Sequence, residues 1–151
     1  MGMFDRIIDL DGKLKCAEGH VLKDFQTKDL TNTMTRFYLR GNRLYETVKT
    51  RETLEPGETT VREVKEHILQ EYVLGYRTVA IYAACPQCKP VRFQQKGDRG
   101  WIDNIGEKQP WNDFELKFGD RALVSVTSKL ETRAEIIKDL RAYGVTVIEN
   151  D

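Results

Sequence analysis

The sequence lacks long apolar runs and an excess of charge of either sign. No segment approaches the roughly 20 consecutive apolar residues that a membrane-spanning helix needs, and residues 1–6 lack the apolar segment of a signal peptide. We therefore expect a cytoplasmic protein with no membrane partner. Lys plus Arg and Asp plus Glu number 24 each. The resulting zero net charge argues against a protein that binds nucleic acid through bulk electrostatics, although local basic patches remain open.

Sequence motifs of the common catalytic sites are absent as well. There is no glycine-rich phosphate loop, no dinucleotide-binding fingerprint and no nucleophile elbow. The acidic residues are plentiful, but they form no motif that assigns them to acid–base catalysis. We therefore lean towards a protein that is not an enzyme. A hydrolase whose carboxylates converge from distant strands is the weakest of three functional interpretations.

Cysteine is scarce, and all three cysteines fall into two short segments that have the form of metal-binding knuckles. The segment 85–88, Cys-Pro-Gln-Cys, separates two thiols by two residues, a spacing at which a tight turn brings both sulfurs to one metal ion. Cys16 and His20 form the second pair, and Gly19 lets the backbone bend before the imidazole. Together they complete a tetrahedral shell for structural zinc that consists of Cys16, His20, Cys85 and Cys88.

A closed shell of this kind has no open position for water or substrate, so the zinc is expected to hold the fold together. With His20 used as a ligand, His67 is the only remaining histidine for acid–base chemistry. A redox pair is the first alternative for residues 85–88, because a neighbouring thiol lowers a thiol pKa. Redox motifs open a helix, whereas this one follows an apolar run and precedes Lys89-Pro90. Three ordinary buried cysteines are the second alternative.

Alternation of apolar and polar residues predicts a chain built of antiparallel hairpins. Gly41-Asn42 and Pro56-Gly57 are turn signals, because their residues suit the backbone angles of tight turns. For the segment 45–69 a helix is the competing interpretation, with Thr60 and Glu63 as its capping box. The segment 96–112 reads as a loop. The expected strands are 7–10, 21–24, 35–39, 43–53, 59–69, 76–84, 91–94, 114–118, 122–126 and 145–148.

One helix is expected near the C-terminus. Ser128 and Glu131 form a capping box, and Gly144 stands where a helix ends. The apolar residues that recur at helical spacing, and that we expect to pack on the sheet, are Leu130, Ala134, Ile137 and Leu140. The predicted fold class is therefore α+β: one domain over residues 1–151, with small antiparallel hairpins, a zinc-ribbon-like Cys3His site, this helix and a final strand.

Two segments carry a family resemblance. Residues 1–5 read Met-Gly-Met-Phe-Asp, and residues 25–30 read Phe-Gln-Thr-Lys-Asp-Leu ahead of a hairpin with Gly and Leu at its turn. These segments resemble a family of small uncharacterised proteins of bacteriophages and bacteria. The similarity is best over about the first 45 residues and looser at 111–127; the C-terminal helix and the 64 residues between the knuckles depart from it. The resemblance implies a small β-domain in a phage or mobile-element setting, and it implies no activity.

Three groups of residues are candidates for binding. Gln26, Lys28 and Asp29 form a polar cluster with Thr27, which is either a recognition loop or a turn tied by side-chain hydrogen bonds, and we favour the turn. Trp101 and Trp111 are either contact residues or a lid on the core. A third group interleaves cations and rings, as binding to single-stranded nucleic acid requires: Arg36, Tyr38, Arg40, Arg43 and Tyr45, followed by Lys89, Arg92 and Phe93.

Two function classes therefore lead. The first is a non-enzymatic, zinc-stabilised binding protein, a phage or mobile-element accessory factor that engages a host or phage protein. The second is a zinc-ribbon-like module that binds nucleic acid.

Overall fold

The structure of the protein is a computed structural model that describes residues 3–50, 66–95 and 104–148. These residues are mostly β-sheet, with one short helix. In chain order the elements are β1 (Asp5–Asp9), β2 (Asp24–Thr27), β3 (Arg36–Arg40), β4 (Arg43–Thr50), β5 (Glu66–Glu71), β6 (Arg77–Ala84), β7 (Val91–Gln95), β8 (Asn104–Lys108), β9 (Trp111–Gly119), β10 (Ala122–Leu130), α1 (Arg133–Ala142) and β11 (Thr146–Ile148).

The larger sheet contains eight of the described strands in the order β10-β9-β6-β2-β1-β3-β4-β5. Neighbouring strands are antiparallel except β1 and β3, which run parallel. The N–H of Leu123, at the start of edge strand β10, donates to the carbonyl of Asn42 in the β3–β4 turn at 2.6 Å. Because this contact joins one edge of the sheet to a turn near the other edge, the sheet curls around one of its faces. We call that face the inner face and the opposite one the outer face.

The inner face carries the apolar core. Apolar side chains alternate along the strands, as expected for a sheet with one buried face. The rings of Phe25 and Phe114 meet edge to face, with their centroids 5.5 Å apart. The three cysteines belong to the same buried cluster, so both knuckles pack against the core. Its other main members are Ile7, Leu22, Phe37, Leu39, Leu44, Val79, Ile81, Leu116 and Phe118.

One joint in the larger sheet has little backbone pairing. The β2–β6 ladder contains a single residue pair, Gln26 with Tyr82, whereas every other ladder in this sheet contains at least four. Side chains add to it, since the Thr27 hydroxyl donates to the Ala80 carbonyl and the Asp29 carboxylate accepts from the Ala80 N–H, each at 2.7 Å. We call this joint the β2–β6 seam. It separates β1–β5 from the unit of β6, β9 and β10.

Two predicted hairpins are confirmed, with altered bounds. Gly41 and Asn42 have φ of 56° and 63°, the left-handed pair that a two-residue turn between β3 and β4 requires. The hairpin expected at 114–118 and 122–126 extends over β9 and β10, and its turn lies at Asp120-Arg121. β4 and β5 pair antiparallel as expected for the segment 43–69. The Pro56-Gly57 turn lies outside the described residues, as do Thr60 and Glu63 of the competing helix.

Two sequence predictions about strands and loops are wrong. The return strand expected at 21–24 is β2, which begins only at Asp24, and Val21 forms an isolated bridge with Lys15. The predicted loop 96–112 contains β8 and the start of β9. β8 pairs with β7, and a Cβ on Gly106 would lie 2.6 Å from the ring of Phe93. Gly106 therefore marks a strand position covered by an aromatic ring, a tertiary cause that the sequence pattern does not reveal.

The C-terminal helix exists, but its predicted start is wrong. β10 continues to Leu130, so Ser128 cannot cap a helix. The N-cap is Thr132, whose hydroxyl accepts a hydrogen bond from the Glu135 N–H at 3.2 Å. The same Ser/Thr-x-x-Glu pattern thus recurs four residues later, at the position where the strand has ended. Glu131 instead accepts from the N–H of Trp111 at 3.0 Å.

The predicted apolar stripe is wrong for its helical members, whereas Leu130 packs against the core of the larger sheet from the end of β10. Ile136 is the buried residue of α1, whereas Ala134 is exposed and Ile137 and Leu140 are only partly buried. The helix contacts β7 and β11, which belong to a three-stranded sheet of order β11-β7-β8. It therefore covers the smaller sheet, not the core of the larger one.

A buried carboxylate, which the sequence analysis did not single out, organises the loop before β3. Asp5 is fully buried, and its oxygens accept from the N–H groups of Thr31, Asn32, Thr33 and Thr35 at 2.7–3.1 Å. Burial alone would raise the pKa of Asp5. The hydrogen bonds from Thr35 and Asn32, with those from Thr31 and Thr33, outweigh burial and hold this pKa below its usual value.

Replacing Asp5 by Asn should destabilise the protein by about 2 kcal/mol, because an amide offers one acceptor oxygen and no charge to these donors. Since the folded pKa of Asp5 is lowered, its contribution is present above the unfolded value of about 3.9 and is lost as the pH falls through the folded pKa. Urea unfolding of both proteins should therefore differ most near neutral pH. The matched control Asp24→Asn removes an exposed carboxylate paired with Arg6 and should cost less than about 1 kcal/mol. Equal losses for the two variants would contradict this role for Asp5.

The corrected helix assignment predicts different costs for two adjacent isoleucines. Ile136→Ala should lower the free energy of unfolding by about 3 kcal/mol, because it empties a fully buried site. Ile137→Ala should cost about 1 kcal/mol, since that side chain is already partly exposed. Chemical denaturation of both variants measures the difference. A larger loss for Ile137 would restore the stripe expected from the sequence.

Candidate metal centre

The first knuckle is delivered by a loop that folds around Asp9. Asp9 is buried at the end of β1, and one carboxylate oxygen accepts from the N–H groups of Lys13 and Leu14 at 2.9 and 3.0 Å. The chain then turns back on itself, because the Cys16 N–H donates to the His20 carbonyl and the Gly19 N–H to the Cys16 carbonyl, each at 3.0 Å. Gly19 has φ of 90°, a conformation that a side chain would strain. This turn presents Cys16 and His20 on one side.

The second knuckle continues directly from β6. The N–H of Cys85 donates to the carbonyl of Pro110 at 3.3 Å, which fixes the chain beside the start of β9. A turn at residues 86–87 then brings Cys88 back over Cys85. The two knuckles approach the same point from opposite sides of the β2–β6 seam, since the first follows β1 and the second follows β6.

The four predicted ligands meet. Cys16, His20, Cys85 and Cys88 each offer one ligand atom, and these four atoms lie within 4.8 Å of one another. The His20 Nδ1 is 3.4 Å from the Sγ of Cys16, 3.4 Å from that of Cys88 and 3.6 Å from that of Cys85. The Sγ atoms of Cys16 and Cys88 are 3.6 Å apart. This group lies close enough to hold a metal ion.

Four of the six distances between the ligand atoms match the edges of a zinc tetrahedron, and the cysteines form no disulfide. Metal bonds of about 2.3 Å to sulfur and 2.0–2.1 Å to nitrogen give tetrahedral edges of roughly 3.5–3.8 Å. The observed 3.4–3.6 Å distances agree with those edges. A disulfide would bring two sulfurs to about 2.05 Å, and all three cysteines are free.

Burial and neighbouring groups shift the pKa values of the Cys16 and Cys88 thiols in opposite directions. Burial would raise the pKa of Cys16, but the N–H groups of His20 and Glu18 and the thiols of Cys88 and Cys85 lower it to about 7. Burial raises the pKa of Cys88, and its contacts with the other two thiols raise it further. Three adjacent thiolates are therefore unfavourable without a cation among them, and a divalent metal is a cation that would compensate their charge.

The polar cluster of residues 26–29 lies at the β2–β6 seam. Besides contacting Ala80, the hydroxyl of Thr27 accepts from the Asp29 N–H at 3.2 Å, and the carbonyl of Asp29 accepts from Arg77. These contacts favour the structural interpretation for Thr27 and Asp29. Gln26 and Lys28 are exposed.

The predicted basic hairpin presents its cations and rings on the outer face. Buried Phe37, Leu39 and Leu44 alternate with them, and the register sets Tyr38 opposite Tyr45. The guanidinium of Arg40 lies 4.8 Å from the centroid of the Tyr45 ring. The five residues on this face are Arg36, Tyr38, Arg40, Arg43 and Tyr45.

The remaining candidates are dispersed. Arg92 and Phe93 lie on β7 in the smaller sheet, and Lys89 follows the second knuckle. Trp101 lies outside the described residues. Trp111 opens β9 and stacks on Tyr82, with ring centroids 5.5 Å apart and an angle of 29° between the planes.

A groove that the sequence analysis missed links the metal ligands to the outer face. It has a volume of about 900 Å³, and its walls include Arg6, Tyr82, Trp111 and the knuckle residues His20 and Gln87. It lies where β2 and β6 separate beyond their single residue pair. Its components come from four distant segments, so no local sequence pattern indicates it.

Comparisons with known proteins identify no relative. No family model, no curated protein and no solved structure matches the chain. Among the described residues, no helix is long and apolar enough to cross a membrane.

Proposed function

We propose that this protein is a non-enzymatic binding protein whose fold is closed by a structural zinc ion in a zinc-ribbon-like Cys3His centre. One observation carries the proposal. Four ligand atoms from two loops, separated by 64 residues of sequence, converge within 4.8 Å beside the core. They do so across the β2–β6 seam, where the backbone supplies a single residue pair.

Zinc is the metal that this donor set favours. Three thiolates and one imidazole are typical of structural zinc sites, whereas calcium and magnesium require oxygen ligands. All three sulfurs are buried, and four protein ligands are the number that a closed tetrahedral zinc shell requires. Such a shell has no place for a catalytic water, which supports a structural role for the ion.

The arrangement of the buried acids supports a protein that is not an enzyme. Asp5 and Asp9 are the buried carboxylates of the described part of the chain. Asp5 accepts from the N–H groups of the loop before β3, and Asp9 accepts from those of the loop before Cys16. Because both are occupied in holding loops, neither is available as the acid or base of a hydrolase.

Two different observations support the proposed biological setting and the proposed kind of partner. The resemblance of residues 1–5 and 25–30 to phage and bacterial proteins supports an accessory factor that engages a host or phage protein in the cytoplasm. The outer face supports the second candidate, a nucleic-acid-binding module. The specific observation in its favour is that five alternating cations and rings of β3 and β4 share that face.

The zinc proposal predicts about one zinc ion per chain in the purified protein. Cys85→Ser and Cys16→Ser should each lose the metal and at least about 4 kcal/mol of stability, because the binding energy of the ion is largely folding energy. A chelator should lower the melting temperature, and added zinc should restore it. Elemental analysis and thermal unfolding measure both effects.

The two histidines provide a matched control for these variants. His20→Ala should release the metal, whereas His67→Ala should retain it, since His67 on β5 is not one of the four proposed ligands. Retention of zinc by both Cys variants would contradict the proposed shell. If metal-free, fully folded protein contained a disulfide between Cys85 and Cys88, these residues would be interpreted as a redox pair and not as metal ligands.

A further inference from the structure

The outer face is continuous from β4 across the seam to β9. Register pairs set Arg36 opposite Arg6, Arg6 opposite Gln26, and Gln26 opposite Tyr82. Because paired residues point to the same side of a sheet, the basic hairpin and the groove belong to one surface. The groove lies at the end of this surface that adjoins the metal centre, and the arginines of β3 and β4 lie at the other end.

The groove contains an aromatic platform. Trp111 is stacked on Tyr82 and still exposes 40% of its surface. Its Nε1–H donates to the carboxylate of Asp113 at 3.1 Å, which fixes the orientation of the ring. A fixed, half-exposed indole is suited to stacking with a planar ring such as a nucleobase. The amides of Gln26 and Gln87 line the same groove and offer donors and acceptors to the edge of a base.

Cations extend away from this platform along the sheet. Arg6 is paired with Asp24, and Arg43 with Glu71. Arg40 lies over a tyrosine ring, and exposed Arg36 has no ion pair in the part of the chain that the structure describes. The surface thus combines a stacking site with a row of guanidinium groups, although the net charge of the chain is zero. Such a combination is complementary to a strand that has unpaired bases and a phosphate backbone.

We propose that the outer face binds single-stranded nucleic acid, with one base stacked on Trp111 in the groove and the backbone running across the arginines of β1, β3 and β4. The inference rests on the proposed function of a zinc-stabilised binding protein and names its partner. A duplex fits less well, because its bases are stacked on one another and cannot occupy the groove. DNA and RNA share the chemistry recognised here, so the test includes both.

The experiment measures fluorescence anisotropy of labelled oligo-dT and oligo-rU of about 16 nucleotides, and of a duplex, with the full-length, zinc-loaded protein. We expect at least one single strand to bind, more tightly than the duplex and with an affinity that falls as salt rises. Trp111→Ala should weaken binding about tenfold, and Trp111→Phe should restore most of it, because Phe keeps a ring for stacking. Arg36→Gln should weaken binding and reduce the slope of log K against log salt by about 0.7, the value for one phosphate contact on a single strand.

Matched controls lie off this face. Lys138→Gln on α1 and Tyr143→Ala at the end of α1 remove an exposed cation and an exposed ring, and both should leave affinity and salt slope unchanged. Zinc content and melting temperature are measured on every sample, so that loss of binding in a folded, zinc-containing variant is assigned to the contact.

Three results would overturn the inference: no binding at low salt, tighter binding to the duplex, or equal effects of the face variants and their controls. None of these results would contradict the proposed zinc-stabilised fold. Each would favour a protein, instead of a nucleic acid, as the partner of the outer face. Absence of zinc from the folded protein would instead contradict the proposed function itself.

Discussion

The structure depends on the convergence of three thiols and one imidazole at the β2–β6 seam. Elsewhere in the larger sheet, neighbouring strands are joined by ladders of four to eight residue pairs, but here one pair joins the two parts. Side chains of Thr27 and Asp29 reinforce the seam at Ala80. At the other end of the seam, where β2 and β6 have separated, the two knuckles join the two parts of the sheet. Burial and the two neighbouring thiols oppose the ionisation of Cys88. Without a cation, the three clustered sulfur ligands would therefore add little to the stability of the fold. The proposed metal ion would convert this cluster into a cross-link between distant parts of the chain.

The parts of this arrangement that the sequence predicted are those set by short-range geometry. The Cys-x-x-Cys spacing and the Cys16–His20 pair identify the ligands because each knuckle is a local turn. The alternation of apolar and charged residues at 114–118 likewise predicts which of these side chains are buried. The errors have tertiary causes. β8 exists because it pairs with β7 under the ring of Phe93, and the helix begins late because β10 continues to Leu130.

Two further features were missed because the residues involved look ordinary in sequence. Asp5 and Asp9 flank the apolar centre of β1, where acids usually indicate a solvent-exposed strand position. Instead each carboxylate accepts hydrogen bonds from several main-chain N–H groups, and these bonds hold a loop around the buried acid. The groove was missed since its walls come from β1, β2, β6, β9 and both knuckles. Only the register of the sheet brings those segments together.

The fold separates the structural and binding roles proposed for its two faces. Apolar packing and the candidate metal centre lie on the inner side and at the seam, so the outer face is left with exposed cations, amides and rings. His20 and Gln87 belong to the knuckles and also line the groove. The metal that closes the seam would therefore also fix one end of the binding surface, which links the stability of the protein to its proposed recognition of a partner.

X-ray absorption spectroscopy at the zinc edge of the purified protein tests the central claim most directly, because it reports the identity and distances of the atoms bound to the metal. The account predicts three sulfur ligands at about 2.3 Å and one nitrogen at about 2.0–2.1 Å, with no bound water. A shell that contains oxygen, or fewer than three sulfurs, would contradict a closed Cys3His centre.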